Sequence, residues 1–378
     1  SKRVDGRQDF TDLVSSFAGV NHDPIDGSYR VEPEGYVPPI QLWVFDEFQD
    51  TSPLLMEVCR RLISAPTVRR VVLAGDPGQT IHQWNGADPN CFLGYEYTRR
   101  EFMHKTWRCP SQIVEVGTRA LGYIRNSEFK YDREIESANN DGVVRRCSSI
   151  DYLSMCKPGD DWLILARTRW HVQRITEHFK KLQIPITSTG TTEGVISKKQ
   201  IGLKALLDME RGRPVTGSQF ANAIALLPSK DSNSDVVVQR GFKNKWKDEN
   251  HVESWEVVFS KELREAGIAE RGAGYILSGA WPKLVNGGTA WREVVDRHGI
   301  DHTKSPTIKV GTVHSAKGLE AENVFVLTTT SERIEKSAGR DIDRANEEAR
   351  ISYVAATRSK KELVICNELG PFSMRGLK

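Results

Sequence analysis

Gln41-Leu42-Trp43-Val44-Phe45-Asp46-Glu47-Phe48-Gln49-Asp50-Thr51 runs from a short, continuous apolar stretch straight into acids. The apolar stretch predicts a buried strand over 41–45. Carboxylates just past the end of a buried parallel strand sit where open α/β sheets bind ligands. One can hold Mg²⁺ through water, because that ion prefers oxygen ligands and keeps several waters. The next can orient or deprotonate an attacking water. A bare Asp-Glu pair would fit a solvated strand end equally well, and the longer string narrows the choice. Ser52-Pro53 then opens a helix to about Ile63, with Ser52 as N-cap and Pro53 in the first helical position.

Outward from this segment, the same order repeats. Residues 68–74 predict a second strand, ending in Gly75-Asp76-Pro77-Gly78-Gln79-Thr80 and then Ile81-His82-Gln83-Trp84-Asn85-Gly86-Ala87. Gln79 is placed to hydrogen-bond a terminal phosphate, and Trp84 offers a stacking face for a base. A plain Gly-Pro turn and a core tryptophan are the alternatives. Helices are expected over 110–123, 170–182 and 344–357, and strands over 162–166, 308–313, 323–327 and 362–365. Strand followed by helix, repeated, predicts a parallel sheet with crossover helices. Between 195 and 305 strand signals thin out, and helical windows at 203–210, 218–227 and 252–266 predict a mostly helical insertion.

The sequence has 378 residues, enough for two or three domains at one per ~150 residues. At 38% hydrophobic and 27% charged residues, it is neither collagen, a coiled-coil rod nor wholly disordered. Lys plus Arg is 53 and Asp plus Glu is 50, a net charge of +3, so any basic face is local. No run of 18 apolar residues occurs, so no membrane span is expected. The segment before Pro39 is broken by Pro24, Pro33, Pro38 and Pro39. The six cysteines form no C-x-x-C pair and have no accompanying His cluster. They predict neither a zinc site nor a disulfide framework, but small core residues in a reducing cytoplasm. Arg240-Gly241-Phe242-Lys243-Asn244-Lys245-Trp246-Lys247 interleaves basic and aromatic residues. If extended, it puts three lysines on one side, where duplex phosphates would meet them; otherwise it is a solvated helix flank.

Taken together, these motifs resemble the UvrD/Rep/PcrA-type superfamily 1 DNA helicases, in the family's order. Val44 to Thr51 resembles the Walker B motif, and Gly75 to Ala87 the third motif. Thr106-Trp107-Arg108-Cys109-Pro110 resembles the motif with an aromatic followed by Arg. Gly311-Thr312-Val313-His314-Ser315-Ala316-Lys317-Gly318-Leu319-Glu320 resembles the fifth, and Glu347 to Arg358 the sixth. The resemblance implies an α/β fold of two RecA-like P-loop NTPase domains, the first incomplete, with a mostly helical insertion in the second. The expected boundaries are 1–104, 105–194, 195–305 and 306–378. It also implies an ATP- and Mg²⁺-dependent helicase moving 3′→5′ on single-stranded DNA and at single-strand/double-strand junctions. By resemblance Asp46 holds Mg²⁺, and Glu47 activates water. Gln79, Arg108 and Arg358 reach the γ-phosphate, Trp107 stacks on adenine, and Glu320 binds ribose. Trp84, Thr312 and His314 contact DNA. His82 stands where the family often has another aromatic. Asn85 stands where it has Arg, so an ionic phosphate contact is missing there.

No G-x-x-x-x-G-K-[ST] loop, which would cradle the phosphates, occurs in the sequence. Asp9-Phe10-Thr11-Asp12-Leu13 resembles a stretch that the family carries shortly before Walker B, so the chain is expected to start midway through the first RecA-like domain. Truncation, a split gene whose partner polypeptide supplies the loop, and genuine loss of ATPase activity are the three accounts. The rival class is a non-motor DNA-binding or scaffold subunit with an incomplete nucleotide site. The presence of Glu47, Gln79, Arg108 and Arg358 argues against decay. The purified 378-residue chain is expected to hydrolyse ATP negligibly. Turnover that disappears in Glu47→Gln would refute that.

Overall fold

Residues 9–23, 27–125, 134–139, 141–189, 198–301, 306–368 and 370–377 are described by a computed structural model. Pro24 and both expected ends of the insertion, at 195 and 305, lie outside the described residues.

The strand Leu42–Phe45 pairs in parallel with Arg70–Leu73, with Phe45 opposite Leu73. Ser52 caps the helix Pro53–Ile63 by accepting the Leu55 N–H at 3.3 Å, and Pro53 opens it. This helix and the turn Phe48–Asp50 form a small core in which Phe48, Met56 and Cys59 are buried against Phe45, Leu73, Phe92 and Tyr95. The strand is therefore covered on one side only. Leu42 is 51% and Val44 60% exposed, which corrects the expectation of a buried strand. Side chains alternate along a strand, and only Trp43 and Phe45 take the covered positions.

A six-stranded sheet has the order Val143–Cys147, Ser359–Cys366, Ala321–Leu327, Trp162–Ala166, Ile308–Thr312, Thr187–Ser188. Ser359–Cys366 pairs in parallel with both of its neighbours. Trp162–Ala166 and most of Ala321–Leu327 are buried, as continuous apolar runs in a sheet covered on both faces should be. Asp341 caps the helix Ile342–Ala356 by accepting the Asp343 and Arg344 N–H groups, and the helix is buried from Ala345 to Ala356.

The chain divides into two compact units. One comprises Ser1–Ser149, Leu165–His171 and Thr312–Lys378; the other comprises Ile150–Ile164 and Val172–Gly311. The second unit has its own core, with Leu206, Phe220, Trp246, Ile268 and Trp281 at its centre. Its helices include Lys198–Glu210, Gly217–Leu226, Glu270–Leu277 and Gly288–His298.

Two expectations fail inside this unit. The window 252–266 is not one helix. It holds the end of a short helix (Glu249–Glu253), then a strand Val257–Val258 paired antiparallel with Val215–Thr216, then a turn Ser260–Glu262. Val257, Val258 and Phe259 are β-branched or aromatic and favour the strand locally. The basic patch is not extended either. Phe242–Lys245 is a helical turn started by Gly241 at φ 87°. Trp246 is buried and donates its indole N–H to the Ala266 carbonyl at 2.8 Å. The tryptophan thus anchors the segment to the core, and on a helix the three lysines cannot form one row. Trp246→Ala should destabilise this unit by about 3–5 kcal/mol in urea unfolding, whereas changing Lys243, Lys245 and Lys247 together to Ala should leave the midpoint nearly unchanged. A large shift in the triple variant would show that the lysines carry structure.

Candidate functional site

Five residues form a line of hydrogen bonds within the first unit, side chain to side chain except for the Asp76 backbone N–H. Glu47 accepts from the Gln49 amide at 2.5 Å. Gln49, fully buried, accepts the Asp76 N–H at 3.0 Å. Asp76 accepts from the Gln79 amide at 3.0 Å, and Gln79 accepts from the Arg358 guanidinium at 3.0 Å. Asp76 also takes the Gly78 N–H at 3.0 Å and the Tyr353 hydroxyl at 3.1 Å. Gln49 can lie here because residue 75 is Gly: a Cβ there would come within 2.5 Å of the Gln49 amide oxygen.

Glu47 is held at φ 50°, ψ 35°, a left-handed conformation that non-glycine residues avoid. Strain of this kind gathers at working sites. Asp46 precedes it, exposed, with one carboxylate oxygen accepting the Glu47 N–H at 2.9 Å. A single exposed carboxylate suits Mg²⁺, which takes one or two protein carboxylates and completes its shell with phosphate and water. Among the described residues no group of three or more His, Cys, Asp or Glu could form an all-protein metal cage.

Arg358 is 2% exposed. Its guanidinium donates to the Val354 carbonyl at 3.1 Å and to Gln79, and among the described residues it has no ion pair. Burial lowers its pKa, and the Arg108 cation adds to that. Arg108 pairs with Glu320 at 2.6 Å, and Lys360 holds the other Glu320 oxygen at 2.6 Å. These two cations, Lys360 foremost, pull the Glu320 carboxyl below its ordinary range. Trp107 is 79% exposed with the Lys105 ammonium 4.9 Å from its ring centre.

The expected DNA contacts gather separately. Trp84 is 65% exposed, so it is not a core residue. Its ring meets His82 edge-on at 6.1 Å, and His82 lies 6.2 Å from His314. Burial, with Arg167 and His82 nearby, pushes His314 down to about 4, so it is neutral at pH 7. Thr312 folds into a local turn, accepting the Ser315 N–H at 3.2 Å.

Sequence reasoning assigned no role to Gln49, Asp50, Asp76, Lys317 or Tyr353. The Lys317 ammonium pairs with Asp50 and donates to the Gln79 carbonyl at 2.9 Å. Asp50 and Lys317 both stand in quoted motifs, but a pair 267 residues apart leaves no local signal.

A family model described as "UvrD/REP helicase N-terminal domain" matches residues 1–98, and one described as "UvrD-like helicase C-terminal domain" matches 294–368. The two matched stretches are those of a UvrD/Rep-type superfamily 1 helicase. It is similar to a "Probable DNA helicase II homolog" of Mycoplasma capricolum, 22% identical over 87% of this chain and 55% of that protein. It is also similar to "RecBCD enzyme subunit RecB" of Mycolicibacterium smegmatis, 30% identical over 30% of this chain and 10% of that protein. The chain thus spans about half the length of the first of these relatives and a tenth of the second. No described helix is long and apolar enough to cross a membrane.

Two measurements check the geometry. Lys317→Met leaves the half-buried Asp50 without its cation and should cost about 1–3 kcal/mol, most of it recovered when Asp50→Asn is added. A double variant as unstable as the single one would contradict the pairing. Because His314 resists protonation when folded, an unfolded chain gains its proton first. Stability should therefore fall between pH 6.5 and about 4, and His314→Gln should flatten that part of the curve.

Proposed function

We propose that this chain serves an ATP-dependent DNA helicase that translocates 3′→5′ on single-stranded DNA, with hydrolysis carried by the Glu47–Arg358 line. The observation that carries this reading is the buried Arg358 guanidinium, which has no carboxylate on it among the described residues. A buried cation is costly unless an anion compensates it, and a terminal phosphate beside Gln79 is such an anion. Arginine there stabilises charge that develops in phosphoryl transfer. In this reading Glu47 takes the proton of the attacking water, and Gln79 holds that water and the phosphate. Arg108 exchanges Glu320 for phosphate, which frees Glu320 for the ribose hydroxyls. Trp107 offers its exposed face to adenine. Asp46 holds Mg²⁺, which when bound would neutralise charge on the phosphates. Trp84, His82 and neutral His314 offer aromatic faces to successive bases, which suits a strand gripped irrespective of sequence. The resemblance to the family supports the polarity and the preference for junctions.

The test uses the full-length protein with single-stranded DNA. Glu47→Gln should bind nucleotide and not turn it over. Arg358→Ala and Arg108→Ala should each lower kcat by ~10³ or more. Ordinary turnover in Glu47→Gln would remove it from the base role, and losses under tenfold for both arginines would make them structural. Trp84→Ala should weaken strand binding by about 1–3 kcal/mol whatever the base sequence.

A further inference from the structure

Cys147 and Cys366 end two neighbouring parallel strands, Val143–Cys147 and Ser359–Cys366, and they are register partners, directly opposite one another. Adjacent strands lie about 4.8 Å apart, inside the ~4.4–6.8 Å span of Cα atoms that a disulfide bridges. Opposed residues of neighbouring strands put their side chains on the same face of the sheet. Burial holds the Cys147 thiol above its ordinary pKa, and hydrogen bonds from the Cys366 side chain and the Ser149 backbone offset part of that rise. Cys366 is fully buried, whereas Cys147 is only half-buried. One sulfur is therefore reachable from solvent, and the other stands behind it. Val143–Cys147 is the edge strand of the six-stranded sheet. It is hydrogen-bonded on one side only, the position from which a sheet frays first.

We propose that Cys147 and Cys366 are a peroxide-oxidisable dithiol whose disulfide locks this edge strand to the sheet. Hydrogen peroxide or another hydroperoxide oxidises the Cys147 thiol to a sulfenic acid, releasing water or the alcohol. The Cys366 sulfur then attacks the sulfenic sulfur. An S–S bond forms, the S–OH bond breaks, and the hydroxide leaves as water with the Cys366 proton. Two thiols lose two electrons and two protons in total, and the peroxide O–O bond takes them up. The bridge would close a sequence loop from 147 to 366 that contains all of Ile150–Ile164 and Val172–Gly311. Long loops gain most from such a link. None of the other four cysteines is a register partner of another. Cys91 packs against the small core that holds Cys59, from a separate helix, and burial raises both thiols. Cys109 gives its thiol proton to the Thr357 carbonyl at 3.4 Å and is pushed up to about 11 by burial. Cys156 is buried in a turn.

The experiment treats the reduced 378-residue chain with a small excess of hydrogen peroxide, alkylates the remaining thiols and maps the peptides by mass. Trypsin is combined with chymotrypsin, because cleavage after Tyr152 separates Cys147 from Cys156. The expected product is a linked pair of peptides carrying Cys147 and Cys366, lighter by two hydrogens and released by dithiothreitol, with Cys59 and Cys109 still alkylated. Oxidation should also raise Tm by several degrees, reversibly. A Cys147 sulfenic acid that dimedone traps while Cys366 stays alkylatable would overturn the proposal, and so would a Cys147–Cys156 link. A mapped link without any change in Tm would overturn the lock. Cys366→Ser should leave Cys147 as a trappable sulfenic acid, and if that variant fails to fold, the map of the parent decides alone.

Discussion

The bond from Arg358 to the Gln79 side chain joins residues 279 positions apart. Nearly every other feature of the site is arranged around it. Gln79 can receive the guanidinium only because Asp76 turns its amide, and Asp76 is itself fixed by Gly78, Tyr353 and the buried Gln49. Gln49 in turn steadies Glu47 in a conformation that its backbone resists. The line runs from the strained acid to the buried cation without a gap. Moving one member would leave a neighbouring polar group unsatisfied, and buried polar groups do not tolerate that cheaply.

The same logic explains why Arg358 stands out among the buried charges. Arg167, also largely buried, grips Glu348 with two hydrogen bonds at 2.9 and 2.6 Å. Arg358 meets three neutral oxygens, those of Val354, Gln79 and, at 3.5 Å, the Thr357 hydroxyl. One arginine is neutralised within the fold; the other keeps its charge in reserve. Lys317 and Asp50 tie the turn that carries His314 to the segment that carries Glu47. The aromatic cluster of Trp84, His82 and His314 is thus linked to the acids, and under the proposed function that link would couple strand movement to hydrolysis.

Much of this was legible in the sequence because its signals are local. The Ser52-Pro53 helix start and the acids beyond Phe45 rest on residues within a few positions of each other. The sheet pattern was legible for the same reason. Where the reading failed, a partner distant in sequence decided. Leu42 and Val44 have strand chemistry, but how much of the strand is covered depends on what packs upon it. Lysines at 243, 245 and 247 suggested a row, but the buried Trp246 and its bond to Ala266 fix a helical turn. Gln49 carried no assigned role, and its role as a clamp needs Gly75 and Asp76 beside it.

The central claim is that the charge of Arg358, which has no ion pair among the described residues, is kept for a terminal phosphate. The most direct measurement is equilibrium binding of a non-hydrolysable ATP analogue and of ADP to the full-length protein, with Arg358 and with Arg358→Gln. The account predicts that the parent prefers the triphosphate and that Arg358→Gln binds ADP as before but loses that preference. A variant that keeps the parent's preference for the triphosphate would contradict it.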